Sequence, residues 1–361
     1  MNSNSNIDIS SAESLDLFDQ EFYFQWHITE RCNRRCDHCY QASYSASGEL
    51  SDSELLEVAG RLEAALEVWE RDGAVSITGG EPWLRKDAVL SLLDYFEKKR
   101  KVVRIDLLTN GELIDEEACR MLRRRPLLRR VQVSIEAADP VLHDAIRGPK
   151  SFEATRDAVS RMKPNGLQVA AMMTISKLNV GQVQGVLELL RDWDVDYFSL
   201  DRFIPEGQAA DHKEWVLSSD EVREAYEALY RWSRQHRRPH VLMYRPLFCL
   251  IDSEAPDVGA MCSVGANALT IMPDGTIYPC RRLPIPLGNV MKDSLYEIWY
   301  SSPILWRVRV PENLHGRCAS CELAPVCRGC RAIALALTGD WLEEDPHCWK
   351  EENAIPASGK K

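Results

Sequence analysis

Residues 30–41 read Glu30-Arg31-Cys32-Asn33-Arg34-Arg35-Cys36-Asp37-His38-Cys39-Tyr40-Gln41, and the three cysteines on this one segment govern the reading of the whole chain. Just before them, Phe22–Thr29 has the pattern of a strand. A loop that follows a strand is where α/β sheets gather their sites. Three thiols at this spacing can hold three irons of a four-iron cluster and leave the fourth free to take a small molecule. Zinc is the competing reading, but zinc wants a fourth ligand close by. His38 sits between two of the cysteines, where it could hardly reach the same metal.

Outward from this loop, the next strand, Ala74–Thr78, ends in Thr78-Gly79-Gly80-Glu81-Pro82. The two glycines let the backbone approach a ligand closely, and Glu81 offers a carboxylate to an ammonium group. Ser51 with Glu54 forms a capping box that opens a helix running to about Arg71. Strands follow at Val102–Leu108, Val131–Ile135, Leu167–Ile175 and Tyr197–Phe203. Helical stretches separate them at Asp87–Lys99, Asp115–Arg124, Phe152–Met162 and Val180–Trp193. Six apolar strands alternating with helices predict right-handed βαβ units and an α/β fold. Six is short of a closed eight-fold barrel, so the expected form is a partial (β/α)6 TIM-like barrel. The rhythm stops after about residue 235, and from Pro246 the chain is rich in Cys, Pro and Gly. Four spans are therefore expected: a flexible N-terminal tail over 1–20, the barrel over 21–238, a small Cys-rich domain over 239–350 and a C-terminal tail over 351–361.

Composition narrows the setting. The chain has 361 residues, 45% hydrophobic and 27% charged, with a net charge of −11. That balance argues against bulk attraction to nucleic acid or to an anionic membrane. No apolar run approaches a membrane span, and the start lacks a basic-then-apolar signal. A cytoplasmic protein is expected. In a reduced compartment 12 cysteines call for metal, because a disulfide framework belongs to short secreted chains. The basic run Arg123–Arg130 reads as a solvated helix end.

The Cys32/Cys36/Cys39 loop and Gly79–Pro82, in this order and context, resemble the radical S-adenosylmethionine (SAM) superfamily. Thr109-Asn110-Gly111, Ser134-Ile135-Glu136, His143-Asp144 and Arg147-Gly148 fit the same resemblance, which covers about residues 22–205. It implies that Cys32, Cys36 and Cys39 hold a [4Fe-4S] cluster whose open iron chelates SAM. Gly79, Gly80 and Glu81 would orient the methionine ammonium, Ser134 would contact the ribose and Arg147 would pair with the SAM carboxylate. An electron from a donor such as flavodoxin or ferredoxin would release a 5′-deoxyadenosyl radical. Glu136 departs from the Asp of many relatives and is left out of the site. His27 reads as a buried structural histidine.

Further along, Asp274-Gly275 is a hairpin signal that would return Cys280 toward Cys262. Cys318-x2-Cys321-x5-Cys327-x2-Cys330 and then Cys348 complete a pattern resembling the SPASM extension, which carries one or two auxiliary [4Fe-4S] clusters. The resemblance implies Cys318, Cys321, Cys327 and Cys348 on one cluster. It implies Cys262, Cys280 and Cys330 on the other, with Cys249 as a possible fourth ligand. Cys119 is left as an ordinary thiol. A zinc ribbon is the plain alternative for Cys318–Cys330.

SPASM enzymes mostly act on peptides or proteins, so a peptide maturase with a peptide or protein substrate is the first expectation. The alternative is modification of a tetrapyrrole side chain, which the tail Cys327–Cys348 and Gly48-Glu49-Leu50-Ser51 also resemble. A non-catalytic iron–sulfur carrier is a third reading, and the intact Gly79–Glu81 turn argues against it. Sulfatase maturases carry an acid after the hairpin cysteine, where this chain has Arg281. Arg202 and Glu206 face either a substrate or a strand-end salt bridge.

Overall fold

The computed structural model describes residues 21–252, 258–259 and 261–350. The two expected tails, 1–20 and 351–361, lie outside the described residues. The first strand, β1 (Glu21–His27), sets the pattern for the rest. Its alternate positions Phe22, Phe24 and Trp26 are fully buried under helices. Tyr23, Gln25 and His27 take the opposite face, as the two-residue period of a strand requires.

Parallel strands follow in chain order: β2 (Asp72–Thr78), β3 (Val102–Leu108), β4 (Leu128–Ser134), β5 (Val169–Ile175) and β6 (Tyr197–Arg202). The helices between them are α1 (Asp52–Val68), α2 (Lys86–Phe96), α3 (Glu116–Arg123), α4 (Pro140–Arg147), α5 (Ser151–Met162) and α6 (Val183–Asp192). The Ser51–Glu54 capping box forms as the sequence predicts. Helix α4 is the unforeseen element, an eight-residue segment begun by Asp139 as N-cap and Pro140 at its first position.

The expected break near residue 238 is not a break in the sheet. After α7 (Ser219–Gln235), strand β7 (His240–Val241) pairs parallel with β6. The hairpin β8 (Ala268–Ile271), β9 (Thr276–Tyr278) and β10 (Gly288–Asn289) joins the other edge. There β8 runs parallel to β1, with Tyr23 opposite Ala268 and Trp26 opposite Ile271. The result is one ten-stranded sheet ordered β10-β9-β8-β1-β2-β3-β4-β5-β6-β7. Covering the β1 edge removes a row of unpaired backbone groups. The Asp274-Gly275 turn forms with Gly275 at φ +82, as its sequence suggests.

Side chains join the two parts as well. Phe22 lies 4.7 Å from both Trp69, just past α1, and Trp299 of α8 (Leu295–Ser301). Arg202, at the end of β6, makes a bidentate pair with Asp345 at 3.0 and 2.9 Å, and both are buried. Of the two roles open to Arg202, the structure takes the salt bridge. Arg202→Met should destabilise the protein by about 3–5 kcal/mol, because it strands a buried carboxylate. Arg202→Met with Asp345→Leu should recover most of the loss. Urea denaturation of the two variants checks this, and equal losses would refute it.

Candidate active site

The cysteine loop leaves β1 and is gripped from three sides. Asn110 donates to Asn33 at 2.7 Å, and Glu112 accepts from Asn33 and Arg34 at 2.8 and 2.7 Å. From the end of α4, Ile146 accepts the Asp37 N–H at 3.0 Å, and the Arg147 carbonyl accepts the Cys36 thiol at 3.6 Å. Beyond β6, the Ala209 N–H reaches the Cys39 carbonyl at 3.3 Å. Burial pushes the Cys32 thiol up to about 11 and raises Cys36 as well. Both thiols are protonated at neutral pH, so iron held there would have to displace those protons.

The glycine turn is fixed against this loop by contact. A Cβ on Gly79 would lie 2.4 Å from the Thr29 carbonyl oxygen, and one on Gly80 would lie 2.3 Å from that of Arg31. Gly79 is also at φ +153. The Gly80 and Glu81 N–H groups donate to those same carbonyls at 2.9 and 2.8 Å.

Glu81 follows the two glycines and is itself held within the protein. Its fully buried carboxylate accepts from Trp83 N–H at 3.0 Å, Thr109 hydroxyl at 2.8 Å and Asn110 N–H at 2.7 Å. It braces the β2 and β3 loops against each other. Arg147 is also committed, to the Glu136 carboxylate at 2.9 Å. Ser134 closes β4 half-buried, next in its alternation to Gln132.

Glu136, set aside in the sequence, is the hub of this wall. His38 reaches it at 3.3 Å and the Thr174 N–H donates to it at 2.8 Å. Burial pushes its carboxyl up, but His38 and Arg147 outweigh that and hold it near about 2. The Glu136 N–H donates to His143 Nδ1 at 3.1 Å, and burial lowers that imidazole to about 4. The place of Glu136 in Ser134-Ile135-Glu136 at the end of a strand is the signal that could have marked it beforehand.

The C-terminal cysteines fall into two sets. Cys262, Cys280 and Cys330 pack on a satellite core of Ile204, Val264, Leu283, Val308, Ala332 and Ile333. Cys249, Cys327 and Cys348 pack on the main core, and Cys318 and Cys321 lie within charge range of that second set. The thiols of Cys249 and Cys327 hydrogen-bond each other, which groups Cys249 with the second set. The chain from Leu247, at φ +76, turns Cys249 toward Cys327. The hairpin set keeps three thiols, one short of a full cluster.

Iron–sulfur clusters suit these donors better than zinc. Four sulfurs on one zinc would lie only ~3.8 Å apart. Among the described residues, the one His/Cys/Asp/Glu group tight enough for a single ion is His315, Asp340 and Glu343, and it holds no cysteine. Near the two sets, Arg328 Nε and Arg331 Nε and Nη2 are buried without hydrogen-bond partners. Both charges act on Cys262, and that of Arg331 also acts on Cys318. An anionic thiolate-bound cluster would supply the missing partner.

Comparison with known proteins agrees. The profile of the Radical SAM superfamily matches residues 26–190, and that of the SPASM iron–sulfur cluster-binding domain matches 262–331. An AdoMet-dependent heme synthase of Methanosarcina barkeri is 30% identical over 346 residues, covering 90% of this chain and 95% of its own. The mycofactocin maturase MftC of Mycobacterium ulcerans is 29% identical, covering 90% and 86%. A solved structure, native anSMEcpe with bound AdoMet and Cp18Cys peptide, shares the fold at a TM-score of 0.71 and 18% identity, covering 91% and 94%. The chain belongs to the radical SAM superfamily and carries a SPASM domain. Its cofactors are accordingly SAM, a [4Fe-4S] cluster and auxiliary iron–sulfur clusters. Among the described residues, no helix is long and apolar enough to cross a membrane.

The glycine contact gives a direct test. Gly80→Ala should weaken SAM binding by about tenfold or more, since one lost backbone contact to a charged ligand is worth ~1.5 kcal/mol. Gly181→Ala, with nothing within 4 Å of the new methyl group, should leave it unchanged. Equilibrium dialysis with labelled SAM reads both, and equal binding would show that the turn does not hold the ligand.

Proposed function

We propose that this enzyme modifies a side chain of a tetrapyrrole. The observation that carries the reading is the similarity to a heme synthase along nearly the whole of both chains. When bound, SAM and the cluster supply a 5′-deoxyadenosyl radical able to take hydrogen from an unactivated C–H bond. The chain's own residues hold that chemistry in place. Cys32, Cys36 and Cys39 would ligate the cluster, with the Gly79–Gly80 backbone facing the methionine end of SAM and Ser134 its ribose. The Glu136 hub fixes the opposite wall through His38 and Arg147, so the reacting groups meet in one geometry. Cys318, Cys321, Cys327 and Cys348 would hold one auxiliary cluster, and Cys262, Cys280 and Cys330 the other. Electrons would come from a donor such as flavodoxin or ferredoxin, and the setting that fits such a donor is the cytoplasm.

Modification of a peptide or protein side chain is the second reading. The maturase relative favours it, and so does the fold shared with a peptide-bound enzyme. One experiment separates the two. Anaerobically reconstituted protein is given SAM, dithionite and an iron porphyrin with propionate side chains. The tetrapyrrole reading expects porphyrin to change mass in step with 5′-deoxyadenosine formed. Unchanged porphyrin beside steady 5′-deoxyadenosine formation would overturn it and leave the peptide reading.

A further inference from the structure

Four arginines around the barrel mouth are each matched to a carboxylate. Arg147 is on Glu136 at 2.9 Å and Arg202 on Asp345 at 2.9 Å. Arg245 and Arg282 share Asp201 at 2.9 and 3.5 Å. Arg281 has no such match among the described residues. Its guanidinium lies 4.9 Å from the centre of the Tyr40 ring, beside the cluster loop, and its Nε is buried with no hydrogen-bond partner. Its charge acts on His27, Glu30, Tyr40 and Glu206, which places it between the end of β1, the cysteine loop and the loop after β6. Glu30 and Glu206 feel its charge but stay beyond ion-pair distance.

His27 supplies an independent observation. It is 2% exposed, and its Nε2 is buried without a partner. Burial, helped by the Arg281 charge, holds the imidazole well below its usual range, so it is neutral at pH 7 and offers one donor and one acceptor. An orphaned imidazole nitrogen within range of the charge of a guanidinium that has no carboxylate partner makes an incomplete polar site, and a buried polar group without a partner is costly unless a ligand completes it.

We infer that Arg281 and His27 form a receptor for a carboxylate of the substrate. It would hold an acidic side chain between the Cys32–Cys39 loop and Cys280 of the hairpin set. The planar guanidinium fork suits a carboxylate, which can take two N–H donors at once. The inference rests on the tetrapyrrole reading and names the group recognised there, a propionate-type carboxylate.

The test titrates the reconstituted holoenzyme with coproporphyrin, whose side-chain acids are all propionates, and with its methyl ester, following the Soret band. Wild type should bind the acid about ten- to a hundred-fold more tightly than the ester, the range for a hydrogen bond to a charged group. Arg281→Met and His27→Phe should each lose most of that preference. Arg281→Lys should keep part of it, as a point charge without the fork. Iron content equal to wild type shows that a variant has kept its fold and clusters; if Arg281→Met loses iron, Arg281→Lys carries the test. An unchanged preference for acid over ester in iron-replete variants would overturn the receptor and leave the tetrapyrrole reading standing. Wild type that binds neither form would overturn both.

Discussion

Backbone contact between the ends of β1 and β2 is the constraint on which the site depends. Thr29 and Arg31 present carbonyls that accept from Gly80 and Glu81, at a separation that no Cβ could enter. The parallel register from Glu21 opposite Asp72 to His27 opposite Thr78 sets that separation. The cysteine loop and the glycine turn therefore meet because two neighbouring strands end level. Every later clamp on the loop, from β3, α4 and β6, adds to a position already fixed by that pairing.

Buried charge organises the rest of the molecule. Glu136 ties the cysteine loop through His38 to α4 through Arg147 and to β5 through the Thr174 N–H. Arg202 and Asp345 tie the end of β6 to the C-terminal segment, and Asp345 also accepts the Cys330 N–H at 2.8 Å. A buried pair of this kind adds little net stability over a well-packed apolar pair of the same volume. Here it sets a hairpin-set cysteine relative to a barrel strand. The shared sheet and the Phe22–Trp299 contact work in the same direction, so the barrel and the Cys-rich region behave as one scaffold for several redox groups.

Much of this was legible in the sequence, for reasons that differ by element. The strands were clear because Phe22, Phe24 and Trp26 alternate, and because Ala74–Thr78 is apolar between turn signals. The cysteine loop and the glycine turn were clear because their spacing follows chemical need. Three things were hidden. Joining β8 to β1 pairs residues about 245 positions apart, and no local pattern encodes that. The role of Glu81 depends on which donors surround a carboxylate once it is buried, and a motif cannot state that. Cys249 was named as a possible fourth ligand of the hairpin set by resemblance to a family pattern, and no pattern shows that the chain after the left-handed Leu247 brings its thiol to Cys327.

The central claim is that the thiols of this chain hold redox clusters serving SAM cleavage. Iron and sulfide content of anaerobically reconstituted protein, paired with a dithionite-driven assay for 5′-deoxyadenosine, tests it most directly. The expected result is about twelve irons per chain, as three four-iron clusters require, with 5′-deoxyadenosine formed and then lost when Cys36 is replaced by alanine. A filled Cys32–Cys39 cluster that yields no 5′-deoxyadenosine would contradict it.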